Sequence, residues 1–158
     1  LPTPIPAVRT DGTVDVLFEQ GEPQVLVVGW GQFAGAAVEV GQRLSQQGIG
    51  VRVVDPVWAL PVSEDLIRLA GAHGLVITLE DGGLAGGLGS RLAQECRLAG
   101  VSANVREFGV PQQFIDQGTR SGILEELGLT AQHVARYATE TVLAAESAPQ
   151  PSQVDQPG

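Results

Sequence analysis

The sequence predicts an α/β fold: a three-layer αβα sandwich around a mostly parallel five-strand sheet with one antiparallel edge strand. Short apolar runs at Val25–Val28, at Val51, Val53 and Val54, and at Leu75–Leu79 have the length and β-branched content of strands buried on both faces. Each is followed by apolar residues at helical spacing, and glycine or proline marks the junctions. Strand and helix therefore alternate, which calls for right-handed crossovers that place helices on both faces of the sheet.

The elements follow in order. Three prolines in Leu1-Pro2-Thr3-Pro4-Ile5-Pro6 fix φ and remove amide donors, so residues 1–13 are expected to be a linker from a missing middle domain. Val14–Phe18 is expected to be a short strand. Gly21-Glu22-Pro23 signals a turn, so this strand is expected to pair antiparallel with its successor at an edge. Phe33, Ala37, Val40 and Leu44 form the stripe of an amphipathic helix stopped by Gly48. Asp55-Pro56 closes the next strand, and a helix starts at Ser63, with Glu64 and Asp65 complementing the dipole of its first turn. Leu88, Leu92, Cys96 and Ala99 mark a third helix, and Asn104–Phe108 a weaker strand. Gly109-Val110-Pro111 opens a loop. Ile123, Leu124 and Leu127 suggest a short helix ended by Gly128, after which Thr130 caps a last helix carrying Val134, Ala138 and Val142. The folded domain is thus expected over 14–145, with a disordered tail over 146–158 of Ser, Pro, Gln, Asp and Gly.

Composition closes several functional classes. The chain of 158 residues carries 18 acidic against 9 basic side chains, a formal charge of -9, so its field repels phosphate backbones and anionic membranes. Nucleic acid and membrane are not expected as partners. All nine basic residues are arginine, which removes P-loop, Schiff-base and general-base lysine chemistry. Cys96 is the only cysteine, so no disulfide framework or cysteine metal site can form within one chain, and a reducing, cytoplasmic setting is expected. No stretch approaches the roughly 18 apolar residues of a membrane span. Methionine is absent, even at position 1, and the chain is expected to be a fragment of something longer.

The run Glu80-Asp81-Gly82-Gly83-Leu84-Ala85-Gly86-Gly87-Leu88-Gly89-Ser90 stands where a buried strand ends and a helix begins, the position at which parallel α/β proteins meet ligands and partner domains. Glu80 and Asp81 could act as acid and base with divergent pKa values, or as polar anchors for the glycine loop or a partner domain. No third group completes a catalytic set, and the anchor role is favoured. Ser90 follows Gly89 without a G-x-S-x-G elbow and is expected to be a helix cap rather than a nucleophile. Gly29-Trp30-Gly31-Gln32-Phe33-Ala34-Gly35 with Asp55 imitates a dinucleotide fingerprint, but the spacing is wrong and Trp30 is bulky. A tight strand-to-helix turn, with Gly35 easing helix packing, is expected there. His73 is expected on the surface at a helix C-terminus, and two histidines without cysteine support make a metal cluster around His133 improbable.

Together these segments resemble the C-terminal domain of the 1-deoxy-D-xylulose-5-phosphate synthase family, in its actinobacterial form. The resemblance is carried by Val27–Phe33, Gly48–Val51 leading into Val54–Pro61, Thr78–Ser90, Gly109–Phe114 and Leu127–Thr130, in order from about Val14 to Val142. The family commonly has arginine at Val57, asparagine at Gly82 and histidine at Gln117, so a charged interdomain contact at Val57 is not expected and Gly82 should loosen its loop. The resemblance implies a thiamine-diphosphate transferase of the transketolase superfamily. The whole enzyme would decarboxylate pyruvate and join the two-carbon unit to glyceraldehyde 3-phosphate in an isoprenoid precursor pathway. Thiamine diphosphate and Mg2+ would belong to the N-terminal and middle domains, with no catalytic, cofactor or metal residue in this chain and no activity of the chain alone. Its role would be packing against those domains and within a homodimer, with Glu80, Asp81, Gly86, Gly87, Gly89, Ser90 and Asp55 as candidate interface residues. The rivals are the C-terminal domain of a transketolase or of a 2-oxo acid dehydrogenase β subunit, and a standalone anion- or nucleotide-binding module.

Overall fold

Valine-rich segments too short for helices and too apolar for the surface assemble into one sheet, and the helices between them supply its two covers. The computed structural model describes residues 5–57, 61–81, 87–110 and 121–147, excluding the side chains of residues 81 and 121–129. In chain order the elements are β1 (Arg9–Asp11), β2 (Val14–Gln20), β3 (Val25–Gly29), a 3-10 turn (Gly31–Phe33), α1 (Ala34–Gln46), β4 (Val51–Asp55), α2 (Glu64–Gly71), β5 (Leu75–Asp81), α3 (Leu88–Leu98), β6 (Val105–Val110) and α4 (Ser121–Ser147). The strands lie in the order β1-β2-β4-β3-β5-β6. β4, β3, β5 and β6 run parallel, while β1 and β2 are antiparallel.

The α/β sandwich is as predicted, but the sheet has six strands rather than five. The additional strand, Arg9–Asp11, falls inside the stretch expected to be linker. It forms a hairpin with β2 whose two loop residues are Gly12 and Thr13, and Gly12, at φ 62, stands in the first loop position, where a tight hairpin turn of this kind takes glycine. β2 also pairs with β4, not with its sequence neighbour β3. Both edges of β3 are occupied by parallel partners, β4 and β5, and all five of its residues are buried. The Gly21–Pro23 turn therefore carries the chain across the end of the sheet instead of closing a hairpin, and Gln24 and Val25 amides bond to Gly50 O.

The pleat sends alternate residues to opposite covers. Val25, Val27, Val51, Val53, Ile77 and Leu79 pack beneath α1 and α4. Val14, Val16, Leu26, Val28, Val54 and Val76 face the other layer, with Leu66, Leu69, Leu92 and Cys96 of α2 and α3. Ser63 caps α2 as expected, its Oγ accepting the Leu66 amide at 3.1 Å. Gly128 does not end a helix: α4 is continuous from Ser121 to Ser147. One interior glycine costs about 1 kcal/mol, whereas restarting a helix carries a nucleation factor of about 10⁻³, so running through is cheaper. The close approach expected at Gly35 occurs elsewhere. Gly35 is exposed, while a Cβ on Gly29 would meet Ala37 Cβ and Phe33 O at 2.7 Å.

In the parallel register Gly29 stands beside Leu79, Val28 beside Val54, and Glu80 beside Gly109. Trp30, Asp55 and Glu80 are thereby brought to one end of the sheet, the carboxyl end of its parallel strands.

Candidate functional site

Glu80, the last residue but one of β5, carries a carboxyl group almost withdrawn from solvent: the residue is 6% exposed. The chain then returns as α3, whose first amides point back at it. Gly87, in the left-handed conformation at φ 61, turns the backbone into the helix. Glu80 Oε1 accepts the Leu88 amide at 2.6 Å, and Oε2 accepts the Gly89 amide at 2.9 Å and the Thr78 hydroxyl at 3.3 Å. Two of the orphan donors at the α3 N-terminus are thus satisfied by a negative group on the favourable end of the helix dipole.

Ser90 is therefore not the cap. It lies in the first turn and donates its hydroxyl to Glu107 Oε1 on β6. Gly89 is fitted between two strands: a Cβ there would overlap Glu107 Cγ and Thr78 Oγ1 and would lie 3.1 Å from Glu107 Cδ. The Glu107 carboxyl lies close enough to act on the Glu80 carboxyl. Burial and this neighbouring carboxyl raise the Glu80 pKa above the usual glutamate range, against the lowering effect of the Gly89 and Leu88 amides. The side chain of Asp81 and all of Gly86 lie outside the described residues, as does the loop at Gly82.

Asp55 forms the second part of the edge. Its Oδ1 accepts the Val57 amide at 2.8 Å and the Gly31 amide at 3.4 Å, tying the end of β4 to the turn after β3. Val57 is 52% exposed and has φ 71. A β-branched side chain in this region stores about 1–3 kcal/mol of strain. Trp30 is 7% exposed and packs with Leu26, Val28 and Val54, its indole N–H without a partner among the described residues. A pyrophosphate at Gly31 would face the Asp55 carboxylate, and the space a fingerprint leaves open is filled by Trp30. The strand-to-helix turn holds; the nucleotide cradle gains no support.

Other candidates separate from this edge. His133 is exposed on α4, its ring edge-on to Phe108 at 6.4 Å. His73, expected on the surface, is 5% exposed. Among the described residues no group of three or more His, Cys, Asp or Glu side chains could hold a metal ion, and no helix is long and apolar enough to cross a membrane. Thr78 and Glu107 also belong to this site, though neither stands in a recognisable motif. Their signals were a lone polar residue in an apolar run and an acid in the neighbouring strand, neither meaningful until β5 and β6 are paired.

A mostly parallel sheet between two helix pairs, ending in a strand-end acid that caps the following helix, defines an α/β domain of the transketolase C-terminal type. A family profile described as "Transketolase, C-terminal domain" matches residues 12–134. The chain belongs to that family. It is 49% identical over 135 residues to a 1-deoxy-D-xylulose-5-phosphate synthase of Clavibacter sepedonicus, covering 85% of this chain and 21% of that protein. Against the protein of that name from Rhodococcus jostii the identity is 52% over 137 residues, again 85% and 21%. Among solved structures, a split-gene transketolase described as an inactive beta4 tetramer superposes with a TM-score of 0.61 at 29% identity, over 84% of this chain and 43% of that one. A Pichia stipitis transketolase superposes with a TM-score of 0.53 at 17% identity, over 89% and 20%, and shares the fold. The chain spans about a fifth of the length of the curated relatives it matches.

Proposed function

We propose that the chain serves as the C-terminal domain of a 1-deoxy-D-xylulose-5-phosphate synthase, which joins pyruvate and glyceraldehyde 3-phosphate with loss of CO2. The observation that carries this is 49–52% identity to proteins of that name over 85% of the chain, against 29% and 17% for the transketolases. That contrast favours the synthase over a transketolase.

Thiamine diphosphate, with Mg2+, would supply the electron sink of the reaction. The residues described here do not fit that group. Glu80 accepts the Leu88 and Gly89 amides with its two oxygens, Asp55 faces Gly31, and the edge presents carboxylates rather than cations to a diphosphate. The domain's part is instead scaffolding. Its carboxyl edge, with Asp55, Gly87 and Ser90, together with Asp81 and Gly86, would pack against the N-terminal and middle domains of the same enzyme within a cytoplasmic homodimer, while the buried Glu80 and Gly89 would hold the start of α3 in place behind that surface.

The test is complementation. The 158 residues alone should form no product from pyruvate and glyceraldehyde 3-phosphate with thiamine diphosphate and Mg2+ present, and the full-length protein should form it. Product from the isolated chain would refute the scaffolding role, and a full-length protein with transketolase activity instead would refute the synthase assignment.

A further inference from the structure

His73 stands one residue beyond the C-cap of α2, two residues before β5 begins. Its ring is interior, and its Nδ1 lies 2.7 Å from the Leu69 carbonyl oxygen. Only a protonated Nδ1 can use that acceptor, so Nε2 carries the bare lone pair. Nε2 is buried and has no hydrogen-bond partner among the described residues. The same Leu69 oxygen also accepts the Ala72 amide, and the next two residues, Gly74 and Leu75, donate their amides to Gln24 O at 3.1 and 3.3 Å. The imidazole thus joins the end of α2 to the point where β5 enters the sheet beside β3.

We propose that His73 is a neutral latch at the α2–β5 junction, and that its protonation by mild acid opens this junction. A second proton would have to go on Nε2, where the cation would be buried with no acceptor. Among the described residues, the charged side chain whose field reaches the ring is Arg52 on β4, which repels an imidazolium and is itself held by Glu19 of β2 at 3.2 Å. Just before β3 the neutral Gln24 gives its side-chain amide to Glu146 of α4 at 3.1 Å, and of the charged α2 side chains Glu64 is exposed in the first turn while Asp65 and Arg68 are engaged with Thr13 and Asp11 of the β1–β2 hairpin. Burial, with a smaller contribution from Arg52, holds the His73 pKa below its ordinary value against the hydrogen bond to Leu69 O, which raises it. The unfolded chain therefore takes up a proton that the native state refuses. Stability is complete above the unfolded pKa and falls as pH drops from there toward the native one.

The experiment is urea unfolding of the whole chain between pH 8 and pH 5, for the native sequence and for His73→Asn, whose amide keeps the donor to Leu69 O but cannot charge. For one proton the unfolding constant of the native sequence should rise by up to about tenfold per pH unit below the unfolded pKa, and this component should be missing in His73→Asn. The His73 ring, followed by NMR in the native protein, should titrate below the ordinary histidine range, which keeps the proposal testable even if the variant fails to fold. Equal pH slopes for the two proteins, or a native ring titrating at or above that range, would overturn it.

Discussion

Replacing Gly89 with alanine separates helix propensity from the local fit of the site. Propensity alone makes Gly→Ala inside a helix stabilising by about 1 kcal/mol. The geometry opposes this, because the new methyl would overlap Thr78 Oγ1 and Glu107 Cγ. Glu107 is exposed and can swing aside at little cost. Thr78 cannot: it is 0% exposed, on β5 between β3 and β6. Either Thr78 rotates and gives up its bond to Glu80, or α3 backs away and weakens the Leu88 and Gly89 bonds to that carboxylate. Overpacking of this kind costs about 1–3 kcal/mol, and a weakened cap about 1 kcal/mol. After the propensity gain, a net loss of about 1–3 kcal/mol is expected. Urea unfolding measures it, with Gly74→Ala as the control, since a Cβ there meets only Gln24 O at an ordinary 3.7 Å. Thr78→Ala in the Gly89→Ala background should recover part of the loss. If Gly89→Ala were neutral or stabilising, the close packing of α3 on β5 and β6 would be wrong.

Glu107→Gln should flatten the pH dependence contributed by Glu80. The raised native pKa means the folded state holds the extra proton, so stability falls as pH rises from the unfolded glutamate value to the native one. Removing the Glu107 charge should make that fall shallower, and an unchanged slope in urea titrations would show the two carboxyls do not interact. Asp65→Ala removes the acceptor that takes both the Thr13 amide and its hydroxyl at 3.0 Å. Amide exchange at Thr13 and along β1 should accelerate, as it should in the native sequence once pH falls below the depressed Asp65 pKa. Unaltered exchange would show that the hairpin is held by its ladder alone. Val57→Gly should stabilise the chain by about 1 kcal/mol, because relief of the positive φ outweighs the extra entropy of an unfolded glycine. A loss in Tm would show that Val57 is not strained.

Buried strands were legible because valine runs leave little choice of environment, and the Ser63 cap because its signal is local. Pairing partners were not. β2 and β3 are adjacent in sequence, yet β3 satisfies both edges with strands delivered by crossovers, and only the global hydrogen-bond count places β2 against β4. The Arg9–Asp11 strand was hidden by the prolines before it, although Gly12-Thr13 carries a hairpin signal. Interior and surface histidine look alike in a sequence: His73 sits in an Ala-His-Gly context that suits an exposed helix end, yet it is buried where the amides of Gly74 and Leu75 meet the distant Gln24 carbonyl. At the candidate site, the strand-end acids and glycines were visible. That Glu80 reaches forward to cap α3, and that Glu107 approaches from β6, depended on a strand pairing with no local signal.

That pairing changes the chemistry open to Glu80. A carboxylate at a strand end looks available for proton transfer, and burial beside a second carboxyl tunes it in the manner of a general acid. Yet transfer to a substrate needs a face with a free lone pair or proton, and Glu80 directs one oxygen to Leu88 and the other to Gly89 and Thr78. Freeing either oxygen would unseat the first turn of α3. The raised proton affinity is a by-product of closing a helix with a charge in a nearly dry place. Asp55 differs in degree: half-buried, holding one firm and one long amide bond, next to a strained and exposed Val57, it retains capacity that the fold does not use. Among the described residues at the carboxyl end of this sheet, the Asp55–Val57 corner is therefore an exposed one whose bonding capacity is not spent, with the Glu80 cap holding β5 and α3 in place beside it.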